Sequence, residues 1–431
     1  MGSWPRPDHR TPIASAVSHA IGWVLLRFRT GLKLRATFFY SGSSLICQAI
    51  RFAGLLISTG AIDAAGFGRF AIALMALGFC STVRELGQNS ALLSIADLPP
   101  GYARAHVFLT ALTTLGAGIC LVLAFRLIPA FADVRPLLPL LLIQLVLDGV
   151  VATPAIVAQK RFAFAGLAAI EIGSVTFWLV TLSIGLRFSR SAETLLLARI
   201  VESMLRGSLL AAWQSSRLLS GRVTTEIRRH YLRFAKLLTP KAWLESLGAN
   251  LDVALLQAFT SNFEVGVYDR TNQLLRVPLS LSVNLVDAVA AASYSREQND
   301  PTALKRSLWF FSIVIAIGAA AGVVLVGIFI WLLAGRLIGA SWQQNLAAFW
   351  PWAVPVALVR PFFWNLNILF QSTGQPQKLL FNLLTGTVTL TATGLLLVPR
   401  WGLVGLFVAL TISNLLPLLI QFSRLRQRRA A

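Results

Sequence analysis

Acid is scarce in this chain: 17 Asp and Glu stand against 38 Lys and Arg, a formal charge of +21 over 431 residues. Histidine is scarcer still, with His9, His19, His106 and His230 the whole complement. The three cysteines, Cys47, Cys80 and Cys120, sit inside apolar stretches without metal-ligand spacing, and read as free thiols used for packing. These shortages leave no candidate metal centre and imply no cofactor. No cleavable signal is expected either: the mildly apolar stretch from Ile13 to Leu26 contains His19 and runs into Arg27, Arg29, Lys33 and Arg35, cations that resist export. At helical spacing Ile13, Val17, Ile21, Val24 and Phe28 make one apolar face, so this segment is either an interfacial helix or a disordered arm.

Apolar residues are plentiful. They make up 56% of the chain, with a mean hydropathy of +0.70, more than a single soluble core can hide. Stretches long enough to cross ~30 Å of hydrocarbon as helices fall near 37–59, 68–92, 107–129, 136–157, 165–187 and 195–214. Six more lie near 237–260, 265–292, 307–332, 346–370, 379–398 and 402–421. Runs of this length lack the alternation of barrel strands.

The basic residues lie mostly between these runs, which favours a topogenic role over nucleic-acid binding. Twenty-three fall on the side of the N-terminal leader, and six on the other: Arg69, Arg135, Arg187, Arg190, Arg336 and Arg400. That asymmetry predicts both termini in the cytoplasm. The basic stretch 215–236 follows the sixth helix and reads as a joint between halves. Phe67-Gly68-Arg69-Phe70 opens the second helix, and Val265-Gly266-Val267-Tyr268 opens the eighth, 198 residues later. The expectation is an all-α membrane protein of about twelve transmembrane helices, in two six-helix lobes related by a pseudo-two-fold along the membrane normal. Its parts are a basic N-terminal segment (1–36), an N-lobe (37–214), a connector (215–236), a C-lobe (237–421) and a basic tail (422–431).

Ionisable groups at membrane depth cost ~2.5 to 3.5 kcal/mol on insertion scales, so they face protein or water. Ser41, Ser44, Gln48 and Arg51 share a face of helix 1, and helix 2 carries Ser81, Arg84, Glu85, Gln88 and Asn89 near one end. Helix 7 presents Lys241, Glu245 and Asp252. Helix 8 presents Asp269, Gln273, Arg276, Ser280, Asn284 and Asp287 at spacings of three and four. Arg199, Glu202 and Arg206 add a face on helix 6, and Arg360, Trp364, Asn367 and Gln371 one on helix 10. These stripes predict one hydrated pathway shared by helices 1, 2, 7 and 8. Helix packing by the local pairs Arg84 with Glu85, Arg199 with Glu202 and Lys241 with Glu245 is the competing explanation. At 1.5 Å per residue Arg51 lies ~21 Å from one end of its helix and Arg276 ~16 Å from the other end of its own, both near mid-membrane. Arginines in excess of carboxylates suit a phosphate or pyrophosphate, which guanidinium binds in bidentate fashion. Glu85, Asp252 and Asp287 are candidates for carrying a coupling H⁺ or Na⁺.

With these features the chain resembles a Wzx-type polysaccharide transporter, a lipid-linked oligosaccharide flippase of the multidrug/oligosaccharidyl-lipid/polysaccharide exporter superfamily. The resemblance covers most of 36–425. It rests on Phe67-Gly68-Arg69-Phe70-Ala71, Ala158-Gln159-Lys160-Arg161-Phe162, Asn250-Leu251-Asp252 followed by Val265-Gly266-Val267-Tyr268, Thr373-Gly374-Gln375-Pro376, and the Gly402, Gly405, Ala409 spacing. It implies two lobes in a V that rock to open a central cavity to either face. The implied cargo is an undecaprenyl-pyrophosphate-linked saccharide moved across a bacterial inner membrane without covalent chemistry, with membrane lipids as partners and a polysaccharide polymerase or export machinery as further candidates. On depth and face, the head group falls first to Arg51 and Arg276, then to Arg84, Arg199, Arg206, Arg270 and Arg360, with Gln48, Gln273 and Asn284 as polar contacts. A multidrug exporter of the same superfamily would share the fold but should favour acidic groups for cationic drugs. A peptidoglycan-precursor flippase would lead one to expect two further helices. A polyprenyl-dependent glycosyltransferase, polymerase or ligase would need a large outer loop with acidic or histidine residues, whereas the longest outer connection here is about a dozen residues.

Overall fold

The computed structural model describes residues 32–95, 99, 101–161, 163–218 and 221–427; the side chains of 32–41, 215–218, 237, 277–285, 287, 288, 292 and 422–427 lie outside this description. The expected interfacial segment before residue 32 also falls outside it. Among the described residues the chain is helical, in the order α1 (Leu32–Ala61), α2 (Ala64–Glu85), α3 (Tyr102–Leu127), α4 (Leu138–Lys160), α5 (Phe164–Phe188), α6 (Ala192–Leu218), α7 (Thr225–Phe259), α8 (Asn262–Arg296), α9 (Pro301–Ile328), α10 (Ala340–Ser372) and α11 (Pro376–Gln427). Short helical pieces at Gln88–Leu93, Pro129–Leu137, Phe329–Leu333 and Ala334–Leu337 fill the links. Non-helical torsions at Gly402 (φ 53°, ψ −131°) bend α11 into two arms, a conformation that glycine adopts at low cost.

Among the described residues eight helical stretches are long and apolar enough to cross a membrane, and one of them, Pro376–Gln421, has the length for two crossings. α6 and α7 fall outside that set because they carry the polar stripes noted above, and part of α8 lies outside the described residues. The connector is shorter than expected. α6 runs on to Leu218 and α7 starts at Thr225, so most of the basic stretch 215–236 is helix.

Short polar links set the helix starts. Asp63 accepts a hydrogen bond from the Gly66 amide (3.0 Å) to cap α2, and Ser261 accepts one from the Glu264 amide (3.4 Å) to cap α8. Thr224 caps α7 through the Ile227 amide, and Asp300 caps α9 through two amides with Pro301 in the first turn. Links of two to a few residues make successive helices antiparallel. Connections therefore alternate between a basic face, at the ends of α2, α4, α6, α8 and α10, and a far face.

α1 packs on α5 and α4 on α6 in the N-lobe; α7 and α10 pack on α11 in the C-lobe. The lobes meet chiefly through α2 and α8. α2 presents the small residues Ala64 and Gly68 here, which lets the two backbones approach. At the far-face end, a Cβ on Gly68 would run into the Asn262 carbonyl, and one on Gly266 into the Ala64 carbonyl. Both pairs are related by the 198-residue offset, as are the caps Asp63 and Ser261. Outward-facing Phe108, Leu112, Leu115, Ile119 and Leu123 of α3 form an exposed apolar stripe suited to acyl chains.

Candidate functional site

The polar stripes converge on two cavities. The first, about 170 Å³, lies where α1, α2, α5 and α6 meet α8 of the other lobe. It gathers Arg51, Arg199, Arg270, Gln273, Glu202 and Trp178. Arg51 donates to both oxygens of Glu202, at 2.5 and 3.4 Å, and lies 5.8 Å from the Trp178 ring centre. Glu202 is 8% exposed and Arg51 48%, so the pair sits at the cavity wall with the guanidinium reachable. Arg270 is buried, donates to Asp269 at 2.7 Å and stacks 3.8 Å from the ring centre of Phe67. Asp269 also accepts from Gln273 at 2.9 and 3.0 Å. Thus the Phe67-Gly68 motif that opens α2 has two separate duties: its ring supports an arginine from the opposite lobe, and its glycine admits that lobe's backbone.

The second cavity, about 320 Å³, lies within the C-lobe between α7, α8, α10 and α11. Arg276 and Arg360 line it with Glu245, Trp364 and Asn367, and Arg360 stands 5.2 Å from the Trp364 ring centre. Beside it α7 and α8 are tied by a short hydrogen bond from the Tyr268 hydroxyl to Asp252, whose side chain is buried. The one shared pathway expected from the stripes is therefore divided in this conformation.

Other sequence candidates lie elsewhere. Arg84 is buried near the basic face, 3.5 Å from the exposed Glu85, with its Nη1 unpartnered among the described residues. Arg206 pairs with Glu171 of α5 at 2.8 Å. Gln48 is half-buried on α1, and its Oε1 has no partner among the described residues. The side chains of Asn284 and Asp287 are outside the described residues. Of the three local ion pairs considered, Lys241 and Glu245 stand 3.6 Å apart, whereas Glu202 is taken by Arg51 rather than Arg199. Glu171 and Trp178 were not singled out by charge or spacing, because neither belongs to a polar stripe, and Phe67 stood out only as part of the repeated motif, not as a site residue.

On the basic face, the first turns of α7 clamp onto the N-lobe. Tyr231 is buried among Ala91, Ala105 and Ile227, and its hydroxyl donates to the Tyr102 carbonyl at 3.1 Å. Burial, with Tyr102 close by, pushes the Tyr231 phenol up, so it stays a donor.

Long antiparallel helices in two repeated lobes, with guanidinium-lined cavities at and beside their junction, define the class of multi-pass membrane proteins built like transporters. The chain is similar in fold to a solved lipid II flippase MurJ in an inward closed conformation, with a TM-score of 0.74, 9% identity, and 90% of this chain and 87% of that one covered. It is also similar to a multidrug resistance MATE family transporter of the MOP superfamily. The inward-facing form gives a TM-score of 0.63 at 14% identity over 90% and 94% of the two chains. The outward-facing form gives 0.60 at 14% over 93% and 96%. By sequence, the chain belongs to the family described as polysaccharide biosynthesis protein, which matches residues 62–345. No curated protein matches it.

Proposed function

We propose that this protein is a flippase. It carries an undecaprenyl-pyrophosphate-linked oligosaccharide unit from the cytoplasmic to the periplasmic leaflet of a bacterial inner membrane, for surface or exopolysaccharide synthesis. The observation that carries this reading is the cluster of Arg51, Arg199 and Arg270 at the junction of the two lobes, in a member of a polysaccharide biosynthesis family. On this reading the basic face is cytoplasmic, both termini lie there, and the polar α6, α7 and α8 cross the membrane with the other helices. No bond is made or broken in the cargo, and a polymerase or export machinery on the far side receives it.

Glu202 occupies the guanidinium fork of Arg51 with two oxygens, the geometry a phosphate would take. An arriving pyrophosphate exchanges with that carboxylate, and the saccharide follows among Gln273 and its neighbours while the lipid tail stays in the bilayer. Arg276 and Arg360 offer a second anionic station once the lobes part. A multidrug exporter with the same fold is the second reading, and the excess of arginine over carboxylate in both cavities weighs against it. A clean deletion should trap lipid-linked units on the inner leaflet, read by their inaccessibility to an external glycosidase. Unchanged surface polysaccharide in that strain would refute the proposal.

A further inference from the structure

A cavity of about 810 Å³ on the basic face plays no part in the pathway above. It lies at the membrane edge between α3, residues 221–224 and the first turns of α7. Arg104, Arg222 and Arg228 line it, all exposed, and no carboxylate does. Among the described residues none of the three forms an ion pair; one Arg104 donor reaches the Gly221 carbonyl at 3.3 Å. Along α3 the lining changes within one turn from Arg104 to Phe108, which is 68% exposed, and α7 repeats the change from Arg228 to Leu232, 61% exposed. Two neighbouring helices thus present cations at the face and bare apolar side chains one turn deeper. That is the polarity profile of a phospholipid, with a phosphate at the interface and an acyl chain beneath it.

We infer that this cavity is a binding site for an anionic glycerophospholipid of the cytoplasmic leaflet, distinct from the cargo. The headgroup phosphate bridges Arg104 of the N-lobe to Arg222 and Arg228 of the segment leading into the C-lobe. A bound lipid therefore holds α7 against α3 and favours the form closed on that face. The inference takes only its orientation from the flippase reading, and its test needs no transport.

The full chain is reconstituted in nanodiscs of phosphatidylglycerol mixed with phosphatidylcholine, and the lipids retained after detergent extraction are counted by native mass spectrometry. Wild type should retain phosphatidylglycerol about tenfold over phosphatidylcholine and melt at a higher temperature as its fraction rises. The triple substitution Arg104→Gln, Arg222→Gln, Arg228→Gln should lose both effects. Arg229→Gln, Arg233→Gln, Lys305→Gln, which removes the same charge from the same face outside the cavity, should keep them. Equal retention of the two lipids by wild type, or equal loss in both triple variants, overturns the site. Displacement of phosphatidylglycerol by undecaprenyl phosphate at low molar ratio would overturn the choice of lipid and assign the cavity to cargo.

Discussion

At the scale of single residues the decisive contact is the one between Arg51 and Glu202. A guanidinium fork closed on a carboxylate costs little to hold while the cavity is empty, and removing either partner leaves the other with unsatisfied charge. Arg51→Ala, at matched expression, should lower export about tenfold or more, since a charge-assisted hydrogen bond contributes ~1.5 to 3 kcal/mol. Arg51→Lys should fall between the two, because an ammonium keeps the charge but loses the fork. Full surface polysaccharide from Arg51→Ala would remove that residue from the pathway. Glu202→Gln should bind a diphosphate head group more tightly and turn over more slowly, as it no longer competes. The sequence pointed to Arg51 and to Glu202 separately but joined Glu202 to Arg199, its neighbour three positions away on the same helix. Spacing along one helix ranks only local partners, and the true partner is 151 residues distant.

At the scale of elements, α8 shows where pattern reading stops. Its stripe from Asp269 to Arg276 reads as a single face, yet Gln273 faces the junction cavity and Arg276 the C-lobe cavity. Three residues fall ~60° short of a full helical turn, enough on a helix wedged between lobes to serve different cavities. Which lobe claims each side depends on packing against α2 and α10, and that is not written in α8. By contrast the helices themselves, their order and the two-lobe repeat were legible, since bilayer thickness dictates run length and charge dictates the links. The α2–α8 contact gives a prediction of its own. Gly68→Ala or Gly266→Ala inserts a methyl group against a facing carbonyl and should part the lobes at the far face. With Cys47, Cys80 and Cys120 replaced by serine, a cysteine placed at Ser58, a buried residue lining the junction cavity, should become labelled by an impermeant maleimide in the alanine variants and stay protected in the parent. Labelling at the same rate in both would show that the contact is not a seal.

For the molecule as a whole, the far-face contact has a consequence beyond closure. Gly68 meets Asn262 and Gly266 meets Ala64, so each half offers the other the same atoms. Such an arrangement is isologous, the defining property of a two-fold homodimer interface, here retained inside one polypeptide. On the flippase reading, with the two arms of α11 as separate crossings, each half has six helices, so both halves insert with the same orientation and need no inversion to find one another. The covalent link at 219–224 is then a tether that raises local concentration rather than the source of the pairing. Chains cut at that link and co-expressed as 1–220 and 221–431 should reassemble and restore polysaccharide export, whereas the same halves carrying bulky residues at both Gly68 and Gly266 should not.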